Sequence, residues 1–198
     1  MQALVNRAIE GFVRGTYGDP FWQAVLRRSG VGGASFDALL DYDSQATRRV
    51  ICGLAMALGK SQEEVLEDIG TFLVASPRMR PVRRLLRFGG VDFVEFLHSL
   101  NDLPARTRLA LPELQVPQLI LREQGGDRFF LRVASPAQAP HRYGHVMLGL
   151  LRAMADDYGA LVFLEHHGGT DAEELIEVTL LEPRFATARD FSLSERPA

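Results

Sequence analysis

The apolar residues of this chain change their spacing near residue 115, and that change dictates the layer plan. Before it they recur at helical intervals. Leu4, Val5, Ala8, Ile9, Phe12 and Val13 form one stripe over residues 2–15. Val50, Ile51, Leu54, Ala55 and Leu58 form a second, and Val65, Leu66, Ile69, Phe72 and Leu73 a third. Phe93, Phe96, Leu97, Leu100 and Leu103 form a fourth. The turn stretches "YGDP", "SGVGGAS" and "SPRMRP", with Gly30, Gly59 and Gly89–Gly90, separate the helices. Ser61 and Glu64 carry the spacing of a capping box. After residue 117 the period falls to two. "QLILRE" and "RFFLRVA" predict two strands joined at Gly125-Gly126-Asp127. A helix comes next in "RYGHVMLGLLRAMADDYG", then two more strands in "ALVFLEH" and "ELIEVTLLE". The expected class is α+β: a helical N-terminal half packed on a C-terminal four-stranded antiparallel sheet with an inserted helix.

Composition narrows the partners. With 22 basic and 25 acidic residues the net charge is -3, so no strong field favours nucleic acid or an anionic membrane. The runs "VICGLAMALG" and "HVMLGLL" fall far short of the ~18 apolar residues a membrane span needs. Asn6, Arg7 and Glu10 interrupt the first ten residues, unlike a signal peptide. Cys52 has no second cysteine to pair with, which points to a reducing cytoplasm.

Candidate chemical residues are few. Cys52 lies on an apolar helix face and reads as a buried structural thiol. His166 and His167 are adjacent at a strand end; neighbours on a strand point to opposite faces, so they do not clasp one metal, and a solvated turn is expected. His98 and His145 are lone helical histidines. Glu63, Glu64, Glu67 and Asp68 form an acidic face expected to be solvated. No phosphate loop, nucleophile elbow, paired-cysteine or HExxH pattern is present, so an enzyme is not expected.

Several stretches together resemble a known family. "ALVNRAIEGFVRGTYGDPFWQAV", "YDSQAT", "LRFGGVDFVEFLHSLNDL", "LPELQVPQL", "VMLGLLRAMADDYG" and "VTLLEPRFATARDF" are similar, in that order, to the haem-NO/oxygen-binding (H-NOX) domains of bacterial gas sensors and of the soluble guanylate cyclase β subunit. The resemblance implies a single domain over residues 1–193, helical to about 110 and sheet-forming over about 111–193, with a frayed tail at 194–198. It also implies haem b as cofactor, nitric oxide as a ligand of that haem, and a separate signalling protein of the cyclase or histidine kinase class as partner. The chain ends soon after the last strand, so a stand-alone module is expected.

Two family motifs are altered. The resemblance places the axial histidine at the end of the helix over 92–103, thirteen residues before the proline that presses on the haem, here Pro117. That position is Pro104. Proline has no free donor nitrogen and no backbone N–H, and is expected to end or kink the helix at Leu103. The family's Tyr-any-Ser-any-Arg clamp for the haem propionates matches Val133, Ser135 and Ala137, so only the serine survives. Arg142 is a displaced candidate for the lost arginine. His98 lies on the back of the helix from Pro104, and His141 and His145 sit in the segment after the clamp. Two readings stay open: a haem-based nitric oxide sensor with a degenerate site, and a haem-free module on the same fold that binds a protein or an apolar ligand.

Overall fold

The computed structural model describes residues 2–31, 44–110, 116–125, 127–136, 139, 142–170 and 172–181. The helical half comprises α1 (Gln2–Tyr17), α2 (Asp19–Arg28), α3 (Ser44–Leu58), α4 (Gln62–Ala75), α5 (Arg80–Arg87), α6 (Phe93–Ser99) and α7 (Leu103–Ala110). Local chemistry sets several of these boundaries. Ser61 Oγ accepts the Glu64 N–H at 3.1 Å and Glu64 Oε2 accepts the Ser61 N–H at 2.7 Å, completing the expected capping box at the start of α4. Asp92 Oδ1 accepts the Glu95 N–H at 2.8 Å and opens α6.

The second half keeps the expected order: β1 (Gln118–Glu123), β2 (Arg128–Ala134), α8 (Gly144–Tyr158), β3 (Val162–Gly169) and β4 (Glu173–Leu180). The strands form one sheet in the order β1-β2-β4-β3, every neighbour antiparallel. Leu119, Phe129, Leu131, Val133, Ile176, Val178 and Leu180 are buried, as alternate residues on one face of these strands. The boundary expected at residue 193 and the tail lie outside the described residues.

Two apolar cores meet at the α4–α8 crossing. Trp22, Val25, Ile51, Leu54 and Val65 belong to the core of the first helices. Phe93, Phe96, Leu131, Met154 and Tyr158 belong to the core between α8 and the sheet. Glycine lets the two helices touch backbone to backbone. A Cβ at Gly70 would lie 2.0 Å from the Val146 carbonyl oxygen, and one at Gly149 would lie 2.0 Å from that of Glu67. Thr71 Oγ1 donates to the Gly149 carbonyl at 3.3 Å across the same crossing.

Pro104 does not end a helix over 92–103, as the sequence suggests; it begins one. The helix stops at Ser99, a 3-10 turn covers Leu100–Asp102, and α7 starts at Leu103 with Pro104 in its first turn. The physical reason is the Leu100 carbonyl. In an unbroken helix the residue at 104 would donate to it, which proline cannot do. The tighter 3-10 turn lets the Leu103 N–H bond to Leu100 O instead. Proline is then in the first helical turn, where its missing N–H costs nothing.

Candidate functional site

A cavity of about 360 Å³ opens between the helical half and the start of the sheet. Ala8 and Ile9 of α1 face Leu66, Ile69 and Leu73 of α4 across it. Met79, Val82 and Leu85 close one side, and Leu103 with Thr107 of α7 another. Val116, Pro117 and Leu119 lead into β1, while Tyr143, Val146, Met147 and Leu150 come from α8 and the residue before it. The polar lining residues are Arg7, Thr107 and Tyr143. Burial pushes the Tyr143 phenol above its ordinary value, so it stays protonated. A volume in this range with nearly continuous apolar walls suits a small apolar ligand.

The family positions fall unevenly around this space. Pro117 is buried on the wall. Pro104 is buried but is not among the lining residues. Leu103 and Thr107, one turn apart on the same face of α7, line the cavity, and Pro104 is rotated about 100° from Leu103 around the helix. Val133 is buried inside the sheet core, opposite Leu119, and is not on the cavity wall. Ser135 lies just past the end of β2; its Oγ accepts the Tyr143 N–H at 3.3 Å and its own N–H donates to Ala172 O at 2.8 Å. Ala137 and His141 lie outside the described residues.

The residues present do not fit a haem held in the family's manner. Among the described residues, none that lines the cavity is a histidine. His98 is half-exposed, 3.7 Å from Glu123 and edge-on to Phe129, outside the cavity. Arg142 lies 3.4 Å from Glu174 Oε1 rather than on the cavity wall. Cys52 is half-buried, more accessible than its apolar helix face suggests.

A second constellation was not legible in the sequence. His166 and His167 lie within β3, not on a solvated turn, because the strand runs on to Gly169. They do point to opposite faces. His167 Nε2 lies 2.8 Å from Glu177 Oε2 on the outer face of the sheet. His166 turns toward the helices, with Nε2 3.0 Å from Glu174 Oε1 and its ring stacked on His145 at 4.2 Å. His145 Nδ1 is 3.2 Å from Glu67 Oε1, so Glu67 is not the solvated residue its acidic helix face suggested. Glu67 and His145 are far apart in the chain, and no local spacing announces their meeting. Only the adjacent His166–His167 pair could have drawn attention to it.

Burial, and then the neighbouring His145, hold the His166 imidazole below its ordinary value despite the Glu174 carboxylate. The unfolded chain therefore takes up this proton near pH 6.5, before the folded chain does. The contribution is fully present above that pH and is lost as pH falls through the lower folded value. Urea midpoints measured from pH 8 to pH 5 should fall more steeply for the native chain than for His166→Gln. Parallel curves would show that His166 does not titrate differently on folding.

Known proteins place the chain among relatives of a consistent kind. The sequence pattern of the family described as Haem-NO-binding matches residues 2–166. Soluble guanylate cyclase gcy-31 of Caenorhabditis elegans is 22% identical over 157 residues, which is 79% of this chain and 22% of that protein. The chain thus spans less than a quarter of that relative's length. A solved H-NOX protein from S. oneidensis in the Fe(II) ligation state, carrying three alanine substitutions, superposes with a TM-score of 0.74 at 18% identity, covering 92% of this chain and 97% of that one. The Fe(II)NO state of an H-NOX protein from S. oneidensis gives 0.73 at 17%, covering 92% and 100%. A point mutant of T. tengcongensis H-NOX gives 0.70 at 18%, covering 92% and 98%.

Proposed function

The chain belongs to the haem-NO-binding family, and on that premise we propose that it is a non-catalytic regulatory module whose cavity takes an apolar ligand without an iron–histidine bond. The observation that carries this reading is the cavity wall itself: about 360 Å³ of space, faced by aliphatic side chains, with no histidine among the described residues that line it. In the family's scheme the state change starts at the iron–histidine bond and moves the helical half against the sheet half. A ligand shifts that balance only by binding one arrangement better than the other. Here the same cavity is bounded by α1, α4 and α7 on one side and by β1 and α8 on the other. An apolar ligand filling it bridges both halves and favours the arrangement with the better-packed wall. The module then acts by contact with a separate signalling protein, of the cyclase or histidine kinase class, in the cytoplasm. No helix among the described residues is long and apolar enough to cross a membrane.

A second reading keeps the family's haem b and its response to nitric oxide. Met79 and Met147 both line the cavity, and thioether sulfur is a known iron donor. The two readings separate on one preparation. The chain is produced with added haem precursor, and its Soret absorbance is measured per mole of protein. A solvatochromic apolar dye is then titrated into the same preparation. The first reading expects substoichiometric haem and saturable dye binding that Ala8→Trp, which fills the cavity, weakens about tenfold or more. Stoichiometric haem lost in Met79→Ala or Met147→Ala establishes the second reading instead.

A further inference from the structure

We propose that His145, His166 and Glu174 form a binding site for one zinc-class divalent cation, at the junction of α8, β3 and β4. One ligand atom from each residue lies within 4.8 Å of the others. A cation held about 2 Å from each donor draws these atoms closer together and turns the stacked His145 and His166 rings until their in-plane lone pairs converge on it. The residue set suits zinc: two imidazoles and a carboxylate, leaving a fourth position open. The site is largely withdrawn from solvent, with side-chain exposures of 14% for His145, 11% for His166 and 1% for Glu174.

Three independent features prepare it. First, Glu67 orients His145. Its Oε1 lies 3.2 Å from His145 Nδ1, and its Oε2 takes a bond from Arg152 at 3.1 Å. A carboxylate on Nδ1 fixes the proton there and leaves the Nε2 lone pair for a metal. Second, residue 144 has no side chain. A Cβ there would lie 2.6 Å from His166 Nε2 and 2.5 Å from Glu174 Oε1, so any other residue would fill the space where the donors converge. The Gly144 N–H also donates to Glu174 Oε2 at 2.7 Å, which turns Oε1 toward His166. Third, the backbone beside His166 can adapt. The Gly168 N–H lies 3.1 Å from His166 Nδ1, so in the metal-free chain Nε2 carries the proton and donates it to Glu174. Coordination through Nε2 moves that proton to Nδ1, and the Gly168 amide must then turn away. Gly168 and Gly169 have φ of 76° and 148°, on an irregularity of the β3–β4 pairing.

The charges agree with this exchange. Arg142 Nε, 3.4 Å from Glu174 Oε1, supplies the counter-charge in the metal-free chain, and the cation replaces it. A second cluster, Glu165, His167 and Glu177, lies on the outer face of the sheet. Its Glu177 is already bonded by Arg128 Nε at 2.8 Å, and the cluster serves as the control. The proposal does not depend on what fills the cavity.

The test uses the full, tag-free chain, stripped with a chelator and dialysed. Zinc chloride is titrated by calorimetry and cobalt(II) chloride by visible absorbance. The expected result is one equivalent bound, with the intense visible bands of four-coordinate cobalt. His145→Asn and His166→Asn should each weaken binding at least tenfold, and Gly144→Ala should do the same while every ligand remains. His167→Asn should leave affinity unchanged. The Gly168 amide resonance should move on zinc addition. Circular dichroism identifies any variant that fails to fold, and His145→Asn, at the partly exposed start of α8, is the mildest of them. No binding above the buffer control overturns the proposal. So does binding that survives His145→Asn and His166→Asn but is lost in His167→Asn.

Discussion

Gly149→Ala is expected to destabilise the chain by about 3 kcal/mol or more, the upper end of the overpacking range. The added methyl would sit 2.0 Å from the Glu67 carbonyl oxygen, which is backbone and has no rotamer to escape into. The crossing must therefore open, or one helix must slide. Either movement disturbs both cores, because α4 contributes Val65, Leu66 and Ile69 to one and α8 contributes Leu151, Met154 and Tyr158 to the other. For a domain of this size the loss corresponds to a melting temperature lower by roughly 6–12 °C. Gly11→Ala is the matched control. It also lies inside a helix, but the nearest atom to its added methyl is the flexible Met79 Cε at 3.5 Å. Intrinsic helix propensity alone makes that change neutral or stabilising by up to about 1 kcal/mol. Equal melting temperatures for Gly149→Ala and the native chain would show that the crossing is looser than its geometry implies.

Leu103→His is expected to raise the chain's affinity for haem through a histidine–iron bond, whereas Pro104→His is not. Sequence register alone favours position 104, thirteen residues before Pro117. The cavity favours 103, because Leu103 lines it and Pro104 is turned to the side. An imidazole at 103 enters an apolar space that keeps it neutral, the state in which it binds iron. Haem affinity in Leu103→His should exceed that of the native chain by about tenfold or more. Absorbance during hemin titration measures it, and loss of the Soret shift in Leu103→Gln assigns the ligand. The reverse outcome, haem gained by Pro104→His and not by Leu103→His, would establish the thirteen-residue register. It would also mean that α7 rotates once the residue at 104 can donate an N–H to the Leu100 carbonyl.

Much of the fold was legible because it depends on local periodicity. The helical stripe of α4, its Ser61–Glu64 cap and the alternation in β2 are each written within a few residues of one another. Burial of one face is enough to select helix or strand there. The strand-strand-helix-strand-strand order then left few ways to close an antiparallel sheet. Pro104 was legible as an absence: no proline can donate a nitrogen to iron or an N–H to Leu100, whatever surrounds it.

The direction that each side chain takes once elements pack was not legible. The 3-10 turn at Leu100–Asp102 rotates α7 relative to α6, so that Leu103 and Thr107 face the cavity and Pro104 does not. A continuous helical wheel cannot show that rotation. Nor could the sequence bring Glu67, His145, His166 and Glu174 together, because they stand on four separate elements. Their meeting depends on how closely α4 approaches α8, and that distance is set by hydrogen atoms at Gly70 and Gly149. The sequence by itself therefore determined the element types, their order and a residue at 104 that cannot donate a nitrogen, each a consequence of residue chemistry at one position or a short period. Only the tertiary structure decided which residues wall the cavity and which carboxylates meet which imidazoles, since those arise from interhelical distance and rotation.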